Sequence, residues 1–388
     1  MKKKICVITG SRAEYGLMCR LMRFIKDDMN LQLQIIATNM HLSVEYGETY
    51  KEIEADGFVI DKKIPILTYS DTANATVKSV GTGIMGFADA YEELHPDMIM
   101  VLGDRYEILA AVSVALFYKI PVIHLYGGEI TEGAYDDTIR HAVTKMSHLH
   151  FTSTEEYRRR VIQMGESPET VFYVGSLGCD NIRHIPLLSK EELEKSMDFS
   201  LEQNTILVTF HPVTMENNTA EAQFIELLSA IDYFKDLYVI FTMPNSDTDG
   251  KIIMSLIKKY VSQNPEKAIW FTSLGMKRYL SIMQYIKAVV GNSSSGIVEA
   301  PNFHIPTLNI GDRQKGRIAA SSVLNCLPTK DDIIEKMSFI IAPNFIERLK
   351  DVVNPYDKPD TAQEIVKIIK KTNISPTKKF YNITVNNV

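Results

Sequence analysis

The sequence predicts an α/β protein built from two doubly wound, Rossmann-like domains. Short β-branched runs alternate with longer amphipathic stretches along most of the chain, the pattern of parallel sheets covered by helices on both faces. The alternation breaks once, over Cys179–Asn204, where Pro186, a charged helix near Lys190–Met197 and Glu202-Gln203-Asn204 carry little core pattern. A length of 388 residues suits two domains. The expected division is 1–178, 179–360, and a C-terminal helix and tail over 361–388 packing back on the first domain.

In the first domain the strands are expected at Ile5–Thr9, Leu31–Thr38, Met98–Gly103, Pro121–Tyr126 and His148–Thr152. Between them fall helices at about Gly16–Asp28, Val44–Asp56, Ala75–Leu94, Tyr106–Tyr118, Thr138–Met146 and Glu155–Met164. After the break, strands are expected at Ile206–Phe210, Tyr238–Met243, Ala268–Phe271 and Ala288–Val290, with helices near Ala220–Phe234, Asp249–Ser262 and Met276–Gln284. The tail Lys378–Val388 is expected to be weakly ordered. In open α/β sheets ligands bind beyond the C-terminal ends of the strands, so the residues there are the candidates for chemistry.

Composition narrows the function classes. The chain carries 42 Lys+Arg against 48 Asp+Glu, a net charge of -6, with 45% hydrophobic residues. That balance argues against a nucleic-acid or anionic-membrane partner, which needs a basic patch. Met1-Lys2-Lys3-Lys4 resembles a signal-peptide n-region, but the apolar run Ile5–Ile8 is too short to follow it, and Ile108–Tyr118 is too short to span a bilayer. A cytoplasmic protein is expected. Cys6, Cys19, Cys179 and Cys326 are scattered, and no CxxC or HExxH spacing occurs, so free thiols and no metal are expected.

Five strand ends carry candidate groups. Thr9-Gly10-Ser11-Arg12 opens a helix and suits an anion, through backbone N–H groups and the Arg12 fork, or is a plain turn; it matches neither GxGxxG nor the P-loop, so no cofactor is called for. Gly103-Asp104-Arg105 places Asp104 for proton transfer or hydroxyl binding, or as a helix N-cap, and Arg105 for the substrate. His124-Leu125-Tyr126-Gly127-Gly128-Glu129 is followed by Asp136-Asp137; three such carboxylates near Asp104 suit acid/base work, while the alternative makes His124 a core residue and the aspartates caps. His211 after the first strand of the second domain suits a departing phosphate oxygen. Gly291-Asn292-Ser293-Ser294-Ser295-Gly296 offers hydroxyls and N–H groups to a diphosphate, with Glu299 about one turn on for ribose and Arg313 downstream for the same anion; a Ser-rich cap is the alternative.

Together these motifs resemble the hydrolysing UDP-N-acetylglucosamine 2-epimerases of bacterial sialic acid synthesis. The resemblance rests on GSRAEYG (Gly10–Gly16), VLGDRYE (Val101–Glu107), HLYGGEITEGAYDDTIRH (His124–His141), TSTEEY (Thr152–Tyr157), GNSSSGIVEAP (Gly291–Pro301) and NIGDRQKGR (Asn309–Arg317). It implies a GT-B fold whose two domains face each other across a cleft, a UDP-sugar substrate, usually a homodimer, and neither metal nor nicotinamide. It assigns nucleotide and diphosphate contacts to Arg12, Ser293, Ser294, Glu299 and Arg313, and acid/base roles to Asp104, Asp136 or Asp137, and His211. Many members making N-acetylmannosamine carry a glutamate where this chain has Tyr126. Other members also lack it, including some acting on sialic acid precursors and some acting on a 2,4-diacetamido-trideoxy sugar. The reaction implied is UDP-N-acetylglucosamine to N-acetylmannosamine and UDP, the same chemistry on the diacetamido sugar or a GT-B glycosyltransferase being the alternatives.

Overall fold

In a computed structural model of the chain, strand β1 (Lys3–Thr9) sends alternate side chains to opposite cores: Ile5 and Val7 into one, Cys6 and Ile8 into the other, all four without exposed surface. A strand buried on both faces reads as a continuous apolar run, which is why it is legible in the sequence. The structure describes residues 2–383 apart from 69, 71 and 217; the expectation for 384–388 lies outside them.

The chain divides into two compact units. The first takes the chain up to Glu129, then Asp136–Asp180, then the chain from Lys358. Its sheet holds β1, β2 (Leu31–Thr38), β3 (Lys62–Ile64), β4 (Met98–Leu102), β5 (Val122–Leu125), β6 (Leu149–Thr152) and β7 (Val171–Tyr173) in the order β3-β2-β1-β4-β5-β6-β7, every pairing parallel. The helix Thr361–Lys371 lays Ala362, Ile365, Val366 and Ile369 into the same core as Ile5 and Val7.

The second unit is Ile130–Tyr135 with Asn181–Asp357. Its strands β8 (Thr205–Thr209), β9 (Tyr238–Thr242), β10 (Ala268–Phe271), β11 (Ala288–Gly291), β12 (Thr307–Ile310) and β13 (Val323–Cys326) run parallel in the order β10-β9-β8-β11-β12-β13. Both sheets reverse direction of growth beside their first strand, the place where ligands of such sheets bind.

Several expectations shift locally. The helix expected over Val44–Asp56 is a 3₁₀ turn at Val44–Tyr46 and a helix at Tyr50–Ala55, because Gly47 turns left-handed (φ 87°) between them. The first helix begins at Arg12, four residues earlier than expected, since Ser11 caps it. The helix opened by the Ser293–Ser295 run is one turn, Ser295–Val298, too few aligned peptides for a strong dipole. The tail expected to be loose is pinned through Lys378, whose Nζ donates to the Lys145 and Ser147 carbonyls at 2.7 and 2.6 Å.

The N-terminal lysines have a structural use. Lys4 Nζ donates to Leu94 O (3.1 Å), Lys3 Nζ to Thr372 O (3.4 Å) and Lys2 Nζ to Asp28 O (3.5 Å), each at the C-terminal end of a helix where carbonyls lack intrahelical partners. Among the described residues no helix is long and apolar enough to cross a membrane.

Candidate functional site

The first unit gathers its candidates at the C-terminal edge of neighbouring strands β1, β4, β5 and β6. At the end of β4, Gly103 adopts φ 77°, and Asp104 forms an ion pair with Arg140 of the helix Asp136–Met146. Buried His124 holds this turn from behind. Its Nε2 lies 2.8 Å from the Gly103 carbonyl, which only accepts, so Nε2 carries the proton and Nδ1 accepts from Thr144 Oγ1 at 3.2 Å. Burial pushes the imidazole pKa down to about 3, keeping that tautomer neutral. His124 is thus the core residue of the alternative reading, acting on the Asp104 turn.

Arg105, expected to meet the substrate, is committed inside the protein. Its Nε donates to Glu107 Oε1 at 2.8 Å and lies 3.9 Å from Glu14 Oε1, with all three residues buried. Two carboxylates share one guanidinium. Burial, followed by the Glu107 charge, pushes the Glu14 carboxyl up to about 8 against the pull of Arg105. The carboxyl tuned toward neutral pH is therefore one the sequence reading left aside. Glu14 also accepts the Gly10 N–H at 2.8 Å while its own N–H donates to Ser11 Oγ at 3.4 Å, so two donors expected to be open to an anion are occupied by the chain.

At the end of β5, Tyr126 stands at φ 68° with its ring turned to the next element. Its hydroxyl accepts the Leu177 N–H at 2.8 Å and lies 3.1 Å from Ser176 Oγ. Gly128 has no room for a Cβ, which at φ 81° would lie 2.5 Å from Tyr157 O, and one at Gly127 would be tight, 3.0 Å from His124 Nδ1. Glu129 is buried and accepts from Ser153 Oγ at 2.6 Å. Asp136 and Asp137 lie in the first turn of their helix, with Asp136 buried and Asp137 Oδ2 3.4 Å from His141 Nε2. Arg12 is half-buried on the first turn of its own helix, near enough to His41 for its charge to be felt there.

The second unit places His211, Asn245, Asn292 and Arg313 beyond β8, β9, β11 and β12, which are neighbours in the sheet. Asn245 N–H donates to His211 Nδ1 at 3.3 Å, which leaves Nε2 as the proton-bearing nitrogen. The Asn292 carboxamide accepts the His211 N–H at 2.7 Å and donates to the His211 carbonyl at 2.8 Å. The Asn292 carbonyl accepts Arg313 Nη1 at 3.1 Å and Gln314 Nε2 at 2.9 Å. Ser293 is half-buried, Ser294 exposed, and Glu299 buried at the end of the one-turn helix.

The segment Ile130–Tyr135 joins this unit through the loops that follow β8 and β12. Glu132 N–H donates to Lys315 O (3.1 Å), Tyr135 N–H to Thr214 Oγ1 (3.1 Å) and Met215 N–H to Gly133 O (3.2 Å). Arg140, Asn292 and Ser153 were all inside or beside quoted motifs, yet only the tertiary pairing shows what they hold.

A model of the UDP-N-acetylglucosamine 2-epimerase family matches residues 23–370. The chain belongs to this family of UDP-sugar epimerases. It is 45% identical over 337 residues to a GDP/UDP-N,N'-diacetylbacillosamine 2-epimerase (hydrolyzing) of Campylobacter jejuni, covering 87% of this chain and 88% of that protein. It is 40% identical over 385 residues to polysialic acid biosynthesis protein P7 of Escherichia coli, covering 98% of each. Among solved structures, UDP-GlcNAc 2-epimerase from Neisseria meningitidis bound to UDP-GlcNAc superposes with a TM-score of 0.77 at 17% identity, covering 95% of this chain and 100% of that one. The likeness to that structure shows the shared α/β fold of the GT-B kind.

Proposed function

We propose that this family member is a hydrolysing 2-epimerase acting on the UDP-linked 2,4-diacetamido-2,4,6-trideoxy sugar, UDP-N,N'-diacetylbacillosamine. The observation that carries the choice is the 45% identity to the Campylobacter relative, which is named for that sugar. Tyr126 agrees with the choice but does not make it, since some members acting on sialic acid precursors also lack the glutamate. In place of a glutamate the chain has a phenol tied to Ser176 and Leu177, so proton transfer falls to Asp104, Glu129, Asp136 and Asp137.

The chemistry follows from these groups. The sugar C2–H is not beside a carbonyl and loses its proton only as the C1–O bond to UDP breaks and positive charge builds at C1. Asp104, an ion-paired carboxylate at a strand end, suits the role of proton acceptor. The departing diphosphate gains charge that His211 Nε2–H, Arg313 and the Ser293–Ser294 hydroxyls are suited to meet. The C2 proton passes to the carboxylate, the C1–O electron pair leaves with UDP, and a glycal remains. Water then adds its hydroxyl at C1 and a proton enters C2 from the opposite face, giving the epimerised free sugar.

A second reading, UDP-N-acetylglucosamine to N-acetylmannosamine, is favoured by the relative named for polysialic acid biosynthesis. Incubating the protein with each UDP-sugar in heavy water separates the two. The expected result is faster UDP release from the diacetamido sugar and one deuterium at C2 of its product. Faster release from UDP-N-acetylglucosamine reverses the choice of substrate; a product without deuterium removes the elimination route; UDP release that needs an added acceptor makes the protein a glycosyltransferase.

A further inference from the structure

His211 leaves β8 at a point where the sheet can no longer hold it. The β8–β11 ladder ends at the pairing of Thr209 with Gly291, and Pro212, next after His211, has no N–H to donate. Gly291 sits so close that a Cβ there would meet Thr209 O at 2.0 Å, which brings the following residue alongside the emerging chain. Asn292 then does with its side chain what a strand does with its backbone. Its N–H reaches Thr209 O at 3.1 Å, while its amide oxygen and nitrogen take the His211 N–H and carbonyl at 2.7 and 2.8 Å.

The residue is fully buried, and every part of it has a partner: the carbonyl that remains receives Arg313 and Gln314. We infer that Asn292 is a positioning residue for the loss of UDP, setting the His211 imidazole in a fixed relation to the Arg313 guanidinium so that both meet the same departing diphosphate. The inference rests on the UDP-sugar reading above. A one-residue clamp matters because a hydrogen-bond donor displaced by about 1 Å loses most of its preference for the transition state.

The two halves of the clamp separate by mutation. Replacing the side chain removes the hold on His211 but leaves the backbone carbonyl for Arg313. Full-length wild type, Asn292→Ala, Asn292→Asp, His211→Ala and the Asn292→Ala/His211→Ala double variant are compared for UDP release from UDP-sugar, calorimetric UDP affinity and thermal unfolding. The expected result for Asn292→Ala is a fall in kcat of roughly 10–100-fold with UDP affinity within about threefold of wild type. In the His211→Ala background the same change has no further effect, as for groups acting as a unit. Asn292→Asp keeps the acceptor for the His211 N–H but sets a carboxylate oxygen against the His211 carbonyl, so its activity rises relative to wild type as pH is lowered and the carboxyl regains a proton to donate.

Wild-type kcat in Asn292→Ala, or an equal loss in the His211→Ala background, overturns the inference. If Asn292→Ala does not fold, Asn292→Asp decides, and a pH profile parallel to wild type overturns it. Imidazole nitrogen NMR of histidine-labelled protein reads the clamp without substrate. Wild type is expected to show His211 protonated at Nε2, and loss of that fixed state in the variants supports the clamp even where wild type releases no UDP, an outcome that sinks the UDP-sugar reading alone. An unchanged His211 spectrum sinks the clamp.

Discussion

Asp104, one residue past the turn that ends β4, is ion-paired with Arg140, 36 positions further along the chain on the helix that starts with Asp136 and Asp137. The pair ties one candidate carboxylate to the element bearing two others. Arg140 has a side chain only 3% exposed, against 18% for Asp104.

Arg140→Gln removes the cation from a pair too buried for water to replace it. The expected cost is on the order of 3 kcal/mol in denaturant unfolding, with turnover down by more than about 100-fold. Arg140→Lys keeps the charge but not the planar fork and should recover stability better than turnover. Equal recovery of both would make the pair a matter of folding only.

The acid side of the stability profile is set by buried histidines. Burial pushes His41 and His124 down to about 3 from an ordinary value of 6.5. The unfolded chain binds these protons first, so folding stability is complete above pH 6.5 and falls toward pH 3, each histidine contributing about 1.4 kcal/mol per pH unit. Glu14 acts on the other side. With its pKa raised from 4.5 to about 8, its contribution is present below pH 4.5 and is lost as pH rises to 8. Glu14→Gln is expected to flatten the decline between pH 5 and 8 in thermal unfolding while leaving the acid limb in place. An unchanged neutral-to-alkaline limb would show Glu14 to be ionised throughout.

The strands most legible in the sequence are those buried on both faces, such as β1 and β4, whose apolar runs need no partner to be recognised. β3 reads Lys62-Lys63-Ile64 and β7 is three residues long, so each is specified by the strand beside it rather than by its own pattern. The same division holds at the site. The apolar runs Met98–Leu102 and Ile206–Phe210 place Asp104 and His211 just past strand ends from sequence alone. What Arg105 does was not legible, because a guanidinium faces substrate or its own carboxylates according to where Glu14 and Glu107 fall, and only β1 lying beside β4 brings them there. Asn292 was hidden for a similar reason, its role depending on how closely Gly291 approaches Thr209.

Gly133 tests the seating of the segment between Glu129 and Asp136. A Cβ there would lie 2.5 Å from the Asp312 carbonyl and 2.9 Å from the Arg313 Cα, backbone atoms that cannot swing aside. Gly133→Ala should push the segment off the Asp312–Arg313 turn, weakening UDP binding by roughly fivefold, about 1 kcal/mol, with a lowered unfolding temperature. Calorimetry with UDP alone reads the first effect. UDP affinity equal to wild type would mean that the Arg313 turn keeps its shape without the segment.

The C-terminal tail is held by a buried charge. Glu166 accepts from His150 Nε2 (3.0 Å), Lys145 Nζ (2.6 Å) and Lys378 Nζ (2.7 Å), while Tyr381 N–H bonds Gly165 O at 2.9 Å. Burial alone would raise the Glu166 carboxyl, but the hydrogen bonds from His150, Lys145 and Lys378 bring it down to about 2. Its stabilisation is therefore present above pH 4.5 and lost as pH falls toward 2. Glu166→Gln leaves two ammonium groups facing each other and should cost about 2 kcal/mol, or roughly 4–8 °C in Tm. Lys378→Met removes one cation and leaves the carboxylate its other two partners, so its cost should be smaller. The order matters more than the sizes: if Lys378→Met costs more than Glu166→Gln, the tail is held by its backbone carbonyl bonds and the packing of Phe380 on Gly165 rather than by the buried carboxylate.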